Sequence, residues 1–399
     1  MLGLCRRAGL ASVGVVAIDG TKVRANAKRA ANRSYEQIAR EILAEAAETD
    51  RLEDELYGDR RGDELPEQLR TREGRKQALR KAKEQLEQER GAAQEVQHAG
   101  AGEADDAECE EPELELDPQR FVGRGYGRRE WLREGRRALD QQRARDPQPV
   151  PRSRSERLFE AARRLEQELT VDGQANAAYE AWRSRGVAAD GSRRMAPGTT
   201  KPYVAPQLPE GQVNITDPDS RLMKTFGRFA LQGYNAQAAV NEHQIILAAE
   251  VTVDSPDFGH LEPMVNATER ELERVGADKP QVVVADAGYW HKRQMENVVN
   301  RGIPVLIPPD AGLRKTTRPG WDGGLYAFMR RVLATDHGKQ LYRTRRATVE
   351  PVFGQMKFNR SFERFKRRGR SACRSEWRLF SASHNLLKLH NHRTAAAGA

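Results

Sequence analysis

Cysteine is scarce. The 399-residue chain has three, Cys5, Cys109 and Cys373, far apart and odd in number, which excludes a disulfide framework and points to a reducing compartment. Long apolar runs are missing too. No stretch approaches the roughly 20 consecutive apolar residues of a membrane span. The opening MLGLCRRAGLASVGVVAIDG has neither a clean apolar run after its charges nor a small-residue cleavage site, so it is no secretory signal. No Walker-type glycine loop and no GxSxG occurs, which leaves nucleotide hydrolysis and serine-hydrolase chemistry without support. Cys373, His384 and His390 do not have the spacing of a zinc finger, and His243 and His260 read as ordinary loop residues.

What is abundant is charge: 31% of residues are charged against 38% hydrophobic, with a net +9. The excess is uneven. From Ala311 onward there are 20 Lys plus Arg against 5 Asp plus Glu, an excess of 15, whereas Glu103 to Asp117 has 9 acids in 15 residues and no base. The acidic block reads as a disordered spacer near 99–118. The basic tail is rich in Arg and interleaved with Tyr342, Phe353, Phe358, Phe362, Phe365, Trp377 and Phe380, a mixture suited to phosphate backbones. Nucleic acid is the partner class that the charge favours.

The short β-branched run Val13 to Ile18 reads as a buried strand. Ser34 to about Arg90, broken near Gly58 to Pro66, reads as two long polar helices, and Arg154 to Gly186 as another. Tyr234 to Val240 and Gln244 to Val253 flank a three-residue hairpin connection. Helix over Leu261 to Val275, strand over Gln281 to Ala285, helix over Met295 to Asn300 and strand over Val305 to Ile307 follow. This order is α/β: a mixed sheet flanked by helices, interrupted by a large, mostly helical insertion. The expected layout is a first strand in 1–33, the insertion in 34–210, the rest of the sheet domain with basic helices in 211–390, and a disordered tail in 391–399.

Two segments share a design: VGVVAID ends in Asp19 before Gly20, and QVVVAD ends in Asp286 before Ala287-Gly288. A buried strand ending in a carboxylate beside small residues sets a charge at a sheet edge with space around it, and its desolvation calls for a cation or donors. Each Asp alone suits a turn cap equally. The third acid is Glu350, isolated among Arg346, Lys357 and Arg360; positions 346, 350, 354 and 357 share one helical face. Pro351 fits only a first turn, so the helix is expected to start near Glu350. Asp217 and Asp219 in TDPDSR read as an Asx-turn around Pro218. Three carboxylates from two strands and a helix can hold two Mg2+ or Mn2+ ions for phosphodiester chemistry, beside a basic surface for the polyanion.

The chain also resembles the DDE-domain transposases of bacterial insertion sequences. The likeness rests on VAIDGTKVRANA around Asp19, TDPDSRLMK, QGYNAQAAVNEH, LEPM, VVVADAGYW around Asp286 and RATVEPVFGQMK around Glu350. It implies an RNase H-like fold and a metal-binding catalytic triad of Asp19, Asp286 and Glu350. It also implies double-stranded DNA, both element ends and target, as partner, a homodimer or larger assembly on DNA, and a cytoplasmic, nucleoid-associated location. Glu350 and Lys357 have the family's six residues between them, and Arg346 and Glu350 its three. Two residues lie between Tyr342 and Arg345, and three between Tyr342 and Arg346. Tyr342, Arg346, Lys357, Arg360, Arg364, Lys366, Arg367 and Arg368 are the expected DNA contacts. Relatives carry a helical domain ahead of the first strand, so a shortened N-terminus is expected. The alternative function is a non-catalytic DNA-binding remnant or a regulator of transposition.

Overall fold

The computed structural model describes residues 1–57, 127–184, 203–225, 230–310 and 321–397. The acidic block and the second of the expected long helices fall outside them. The chain divides into two compact units, Met1–Ile38 with Leu116–Ala399, and Ala39–Glu115. Of the latter, only Ala39 to Tyr57 is described, as helix.

The sheet carries the larger unit. Its strands are β1 (Val15–Arg24), β4 (Arg221–Lys224), β5 (Ala230–Asn241), β6 (Ile246–Thr252), β7 (Val282–Ala285) and β8 (Val305–Leu306); a separate pair joins β2 (Asn32–Arg33) to β3 (Val213–Asn214). β1 lies in the middle. It runs antiparallel to β5 on one side, from Val16 opposite Asn241 to Arg24 opposite Gly233, and parallel to β7 on the other. β8 extends the parallel side, while β5 pairs β4 along its first residues and β6 along the rest. This mixed sheet flanked by helices is the RNase H-like arrangement. β5 is buried from Gln232 to Asn241, so its interior is built of small residues such as Ala236, Ala238 and Ala239 that let both faces be covered.

The helices are α1 (Leu2–Arg7), α2 (Tyr35–Tyr57), α3 (Arg128–Arg145), α4 (Arg154–Ser184), α5 (Leu261–Val275), α6 (Lys292–Asn300), α7 (Gly324–Ala334), α8 (Asp336–Gly354) and α9 (Arg370–Ala397). α3 and α4 pack through their own cluster of Trp131, Tyr179 and Trp182. Among the described residues, no helix is long and apolar enough to cross a membrane.

Three expectations are corrected. β1 does not end at Asp19: the polar residues after it stay extended because β5 offers a hydrogen-bonding edge as far as Gly233. α9 continues to Ala397, so helix replaces the expected disordered tail over most of 391–399; Thr394 there bonds back to the His390 carbonyl. And α8 begins at Asp336, fourteen residues before Glu350, with Pro351 inside it. An internal proline removes the N–H that would bond the carbonyl four residues back. Here the Gln244 side-chain amide donates to that carbonyl, Ala347 O, at 2.9 Å. A hairpin residue thus supplies the donor that the helix lacks. Gln244, at φ 59°, is held in turn by Lys388 on its side-chain oxygen and by His384, which lies 2.9 Å from its carbonyl.

Candidate active site

Parallel pairing of β1 and β7 stops at Ile18 opposite Ala285. The next residues in the two strands are Asp19 and Asp286, so the register alone brings both carboxylates to the same edge. Asp286 then accepts a hydrogen bond from Gly288 N at 2.8 Å, and Asp19 one from Gly20 N at 2.8 Å. α8 packs over β1 and lowers Arg345 between them. Arg345 Nη2 donates to Asp19 Oδ2 at 2.6 Å and lies 3.9 Å from Asp286 Oδ2, while its Nη1 lies 3.9 Å from Glu350 Oε1. The arginine side chain is 9% exposed, Asp19 15%, Asp286 39% and Glu350 57%. One guanidinium therefore gathers all three expected acids, and the most exposed of them, Glu350, faces outward.

Burial pushes the Asp19 carboxyl up to about 7; Arg345 pulls it down, and the nearby Asp286 and Asp257 add to the rise. Burial also raises Asp286, against Arg345 and with the help of Asp257. Asp257 is a fourth acid in the neighbourhood that the sequence reading missed. Its Oδ1 accepts from Asn235 Nδ2 and Gln237 Nε2, both at 2.8 Å, and from Lys22 Nζ at 3.4 Å. Gly20 makes this possible, since a Cβ there would collide with Gln237 Nε2 and Asp257 Oδ1. Tyr289 donates its hydroxyl to the other end of the Gln237 amide, fixing its orientation.

Carboxylate oxygens are the donors that Mg2+ and Mn2+ take. Arg345 alone does not bring Asp19 back to an ordinary carboxyl, so the Asp19–Asp286 edge retains a demand for positive charge that a divalent cation fits. Glu350 is the candidate third ligand. Among the described residues, however, no three His, Cys, Asp or Glu side chains stand close enough together to hold a metal ion, and the Arg345 guanidinium lies among the acids.

The expected DNA-contacting residues separate into two kinds. Arg346, Arg364, Lys366, Arg367 and Arg368 are exposed. Lys357 is half-buried, donates to the Lys22 carbonyl at 3.2 Å and has its pKa lowered by burial; Arg360 folds back onto Ser383 Oγ at 2.5 Å; Tyr342 is half-buried against the core. Most of the tail's aromatics are core rather than stacking surface: Phe353, Phe362, Phe365 and Trp377 are buried, with Phe380 packed on Phe362, and only Phe358 stands out at 82% exposure. Phe358 lies on a π-helical turn, Gln355–Asn359, that follows α8 directly. Asp217 and Asp219 do not cap their own turn. Asp217 accepts from Tyr234 at 2.7 Å and Gly369 N at 3.1 Å, Asp219 from Arg164 at 2.5 Å and Arg370 N at 2.7 Å, and together they anchor the start of α9. His260 is likewise no surface residue: its Nε2 lies 3.1 Å from Asp254.

Residues 314–390, which contain α7, α8, the π-helical turn and most of α9, match the family model described as transposase DDE domain. Glu350 and Arg345 lie within the matched segment; Asp19 and Asp286 lie outside it. Neither the comparison with curated proteins nor that with solved structures gave a match.

Proposed function

We propose that this chain is a DDE transposase that breaks and joins DNA phosphodiester bonds at the Asp19–Asp286 edge, with Glu350 as the third acid. The observation that carries the reading is the register of β1 and β7, which ends with the two aspartates side by side, under a helix that bears both Arg345 and Glu350. Asp19, Asp286 and Glu350 would hold the divalent cation, which supplies activation of the attacking hydroxyl and stabilisation of the leaving oxygen. Arg345 holds the Asp19 carboxylate in place and offers its remaining N–H groups to a phosphate oxygen entering beside Glu350. Asp257, Asn235 and Gln237 brace the other face of β1 and keep Lys22 alongside. The basic surface around 364–368 binds the backbone of double-stranded DNA. An insertion-sequence element in the nucleoid, worked on by a homodimer or larger assembly, is the setting this chemistry suits.

The test is nicking of supercoiled plasmid in Mg2+. Asp19→Asn, Asp286→Asn and Glu350→Gln are each expected to reduce nicking by at least about a thousandfold while DNA binding persists, since only an acid is lost. Nicking by Asp286→Asn at the wild-type rate would remove that residue from the mechanism. The position of Arg345 among the acids favours a second reading, a DNA-binding protein that does not cut. Salt-sensitive binding without nicking by the wild-type chain would establish it.

A further inference from the structure

Most of the arginines on α3, α4 and β4 have acids: Arg136 pairs with Asp172, Arg137 with Asp254, Arg164 with Asp219, Arg221 with Glu168. Two loops at the far end of β1 do not follow this rule. Arg24, Lys28 and Arg29 on one, and Arg364, Lys366, Arg367 and Arg368 on the other, are exposed, and none forms an ion pair with an acid among the described residues. The loops are stitched together rather than merely adjacent. Arg24 N donates to the Glu363 carbonyl at 3.1 Å and Phe365 N to the Arg24 carbonyl at 2.9 Å, extending β1 by a short parallel bridge. Asn26 then donates to the Lys366 carbonyl at 2.7 Å and accepts from Arg364 at 3.1 Å, and Arg368 Nε donates to the Asn26 carbonyl at 3.0 Å. The carboxylate of Glu376 accepts from the Lys366 and Arg367 backbone N–H groups, fixing the second loop to α9. Beside the first loop opens a groove of about 550 Å³ lined by Arg24, Lys28, Arg29, Leu231 and Gln232, with Arg364 reaching it from the second loop.

Seven like charges, none of them ion-paired with the neighbouring Glu363 or Glu376 among the described residues, repel one another unless an anion lies over them. Fixing the two loops in advance reduces the ordering cost of binding one. Arg24 lies five residues along β1 from Asp19, about 17 Å at strand rise, and the half-buried Lys357 sits over Lys22 in between. Seventeen ångströms is about five base-pair steps of duplex.

We propose that this groove grips the sugar–phosphate backbone of double-stranded DNA about five base pairs from the bond positioned at Asp19. The proposal deepens the reading above and rests on it. Phosphate contacts set register without reading sequence, so the groove measures the distance from the reacting phosphate rather than recognising an end.

The experiment compares the full-length chain with two triple variants of equal charge change: Arg24→Gln/Lys28→Gln/Arg29→Gln in the groove, and Arg274→Gln/Lys279→Gln/Lys292→Gln as a distant control. Binding to a fluorescein-labelled duplex of random sequence is followed by anisotropy from about 50 to 200 mM salt. The groove variant is expected to lose about 0.9 unit of log–log salt slope per contact, between two and three in all, while the control keeps the wild-type slope. All six positions are exposed, and thermal melts serve as the check that each variant folds. A groove variant that matches the control overturns the groove while leaving the DNA reading standing. Wild-type binding that ignores salt overturns both.

Discussion

Arg345 Nη2 donates to Asp19 Oδ2 at 2.6 Å, a contact between residues 326 apart in sequence that joins α8 to the central strand. The arginine is the only cation within 4.0 Å of the acids at this edge among the described residues apart from Lys22 on Asp257. Arg345→Gln should therefore destabilise the chain by about 3 kcal/mol at around pH 8, the scale of stripping a partner from a buried ion pair. The loss should shrink at about pH 5, below the raised Asp19 pKa, where that carboxyl is neutral and needs no counter-charge. Urea denaturation at both pH values measures it. Equal losses would mean that the arginine acts through packing alone.

A second titration belongs to Asp217, which lies buried between Tyr234 and the start of α9, where burial raises its carboxyl to about 6. An unfolded aspartate releases its proton near 3.9. Between those values the folded chain holds the extra proton, so stability falls as pH rises and levels off above about 6. Against Asp217→Asn, the wild type should lose of the order of 3 kcal/mol between about pH 4 and 7. A difference that stays flat or grows with pH would show that Asp217 is not held protonated.

The proline inside α8 gives a sharper test. If Gln244 replaces the missing N–H donor at Ala347 O, then Gln244→Met should cost about 1 kcal/mol with Pro351 present and less once Pro351→Ala restores the helix's own donor. A double-mutant cycle reads the coupling directly, and it cancels both the contact with Lys388 and the strain at φ 59°. Zero coupling would separate the two residues.

These contacts show where the sequence was readable. QVVVAD gives away a buried parallel strand and its terminal acid, because both faces of such a strand must be apolar and the charge can only stand at its end. The continuation of β1 through Gly20-Thr21-Lys22 was not readable: those residues are polar, and their extension depends on β5, over 200 residues away. Pro351 misled for a related reason, since local chemistry places proline in a first turn and only the fold supplies Gln244. Arg345 was one of two arginines in a row, and nothing local says which of Arg345 and Arg346 turns inward. Asp257 lies in a loop whose approach to β1 depends on the missing Cβ of Gly20. The tail's aromatics followed a pattern that fits stacking on bases and a core helix equally well, and burial decided for the core.

The central claim is that Asp19 and Asp286 form one cation-binding edge. It is tested most directly by titrating Mn2+ into the purified chain and counting free ion by electron paramagnetic resonance, with Asp19→Asn/Asp286→Asn as the comparison. The account predicts that the wild type binds at least one Mn2+ ion that the double variant binds at least about tenfold more weakly, because the paired oxygens are its hard donors. Identical binding by the two proteins would contradict it.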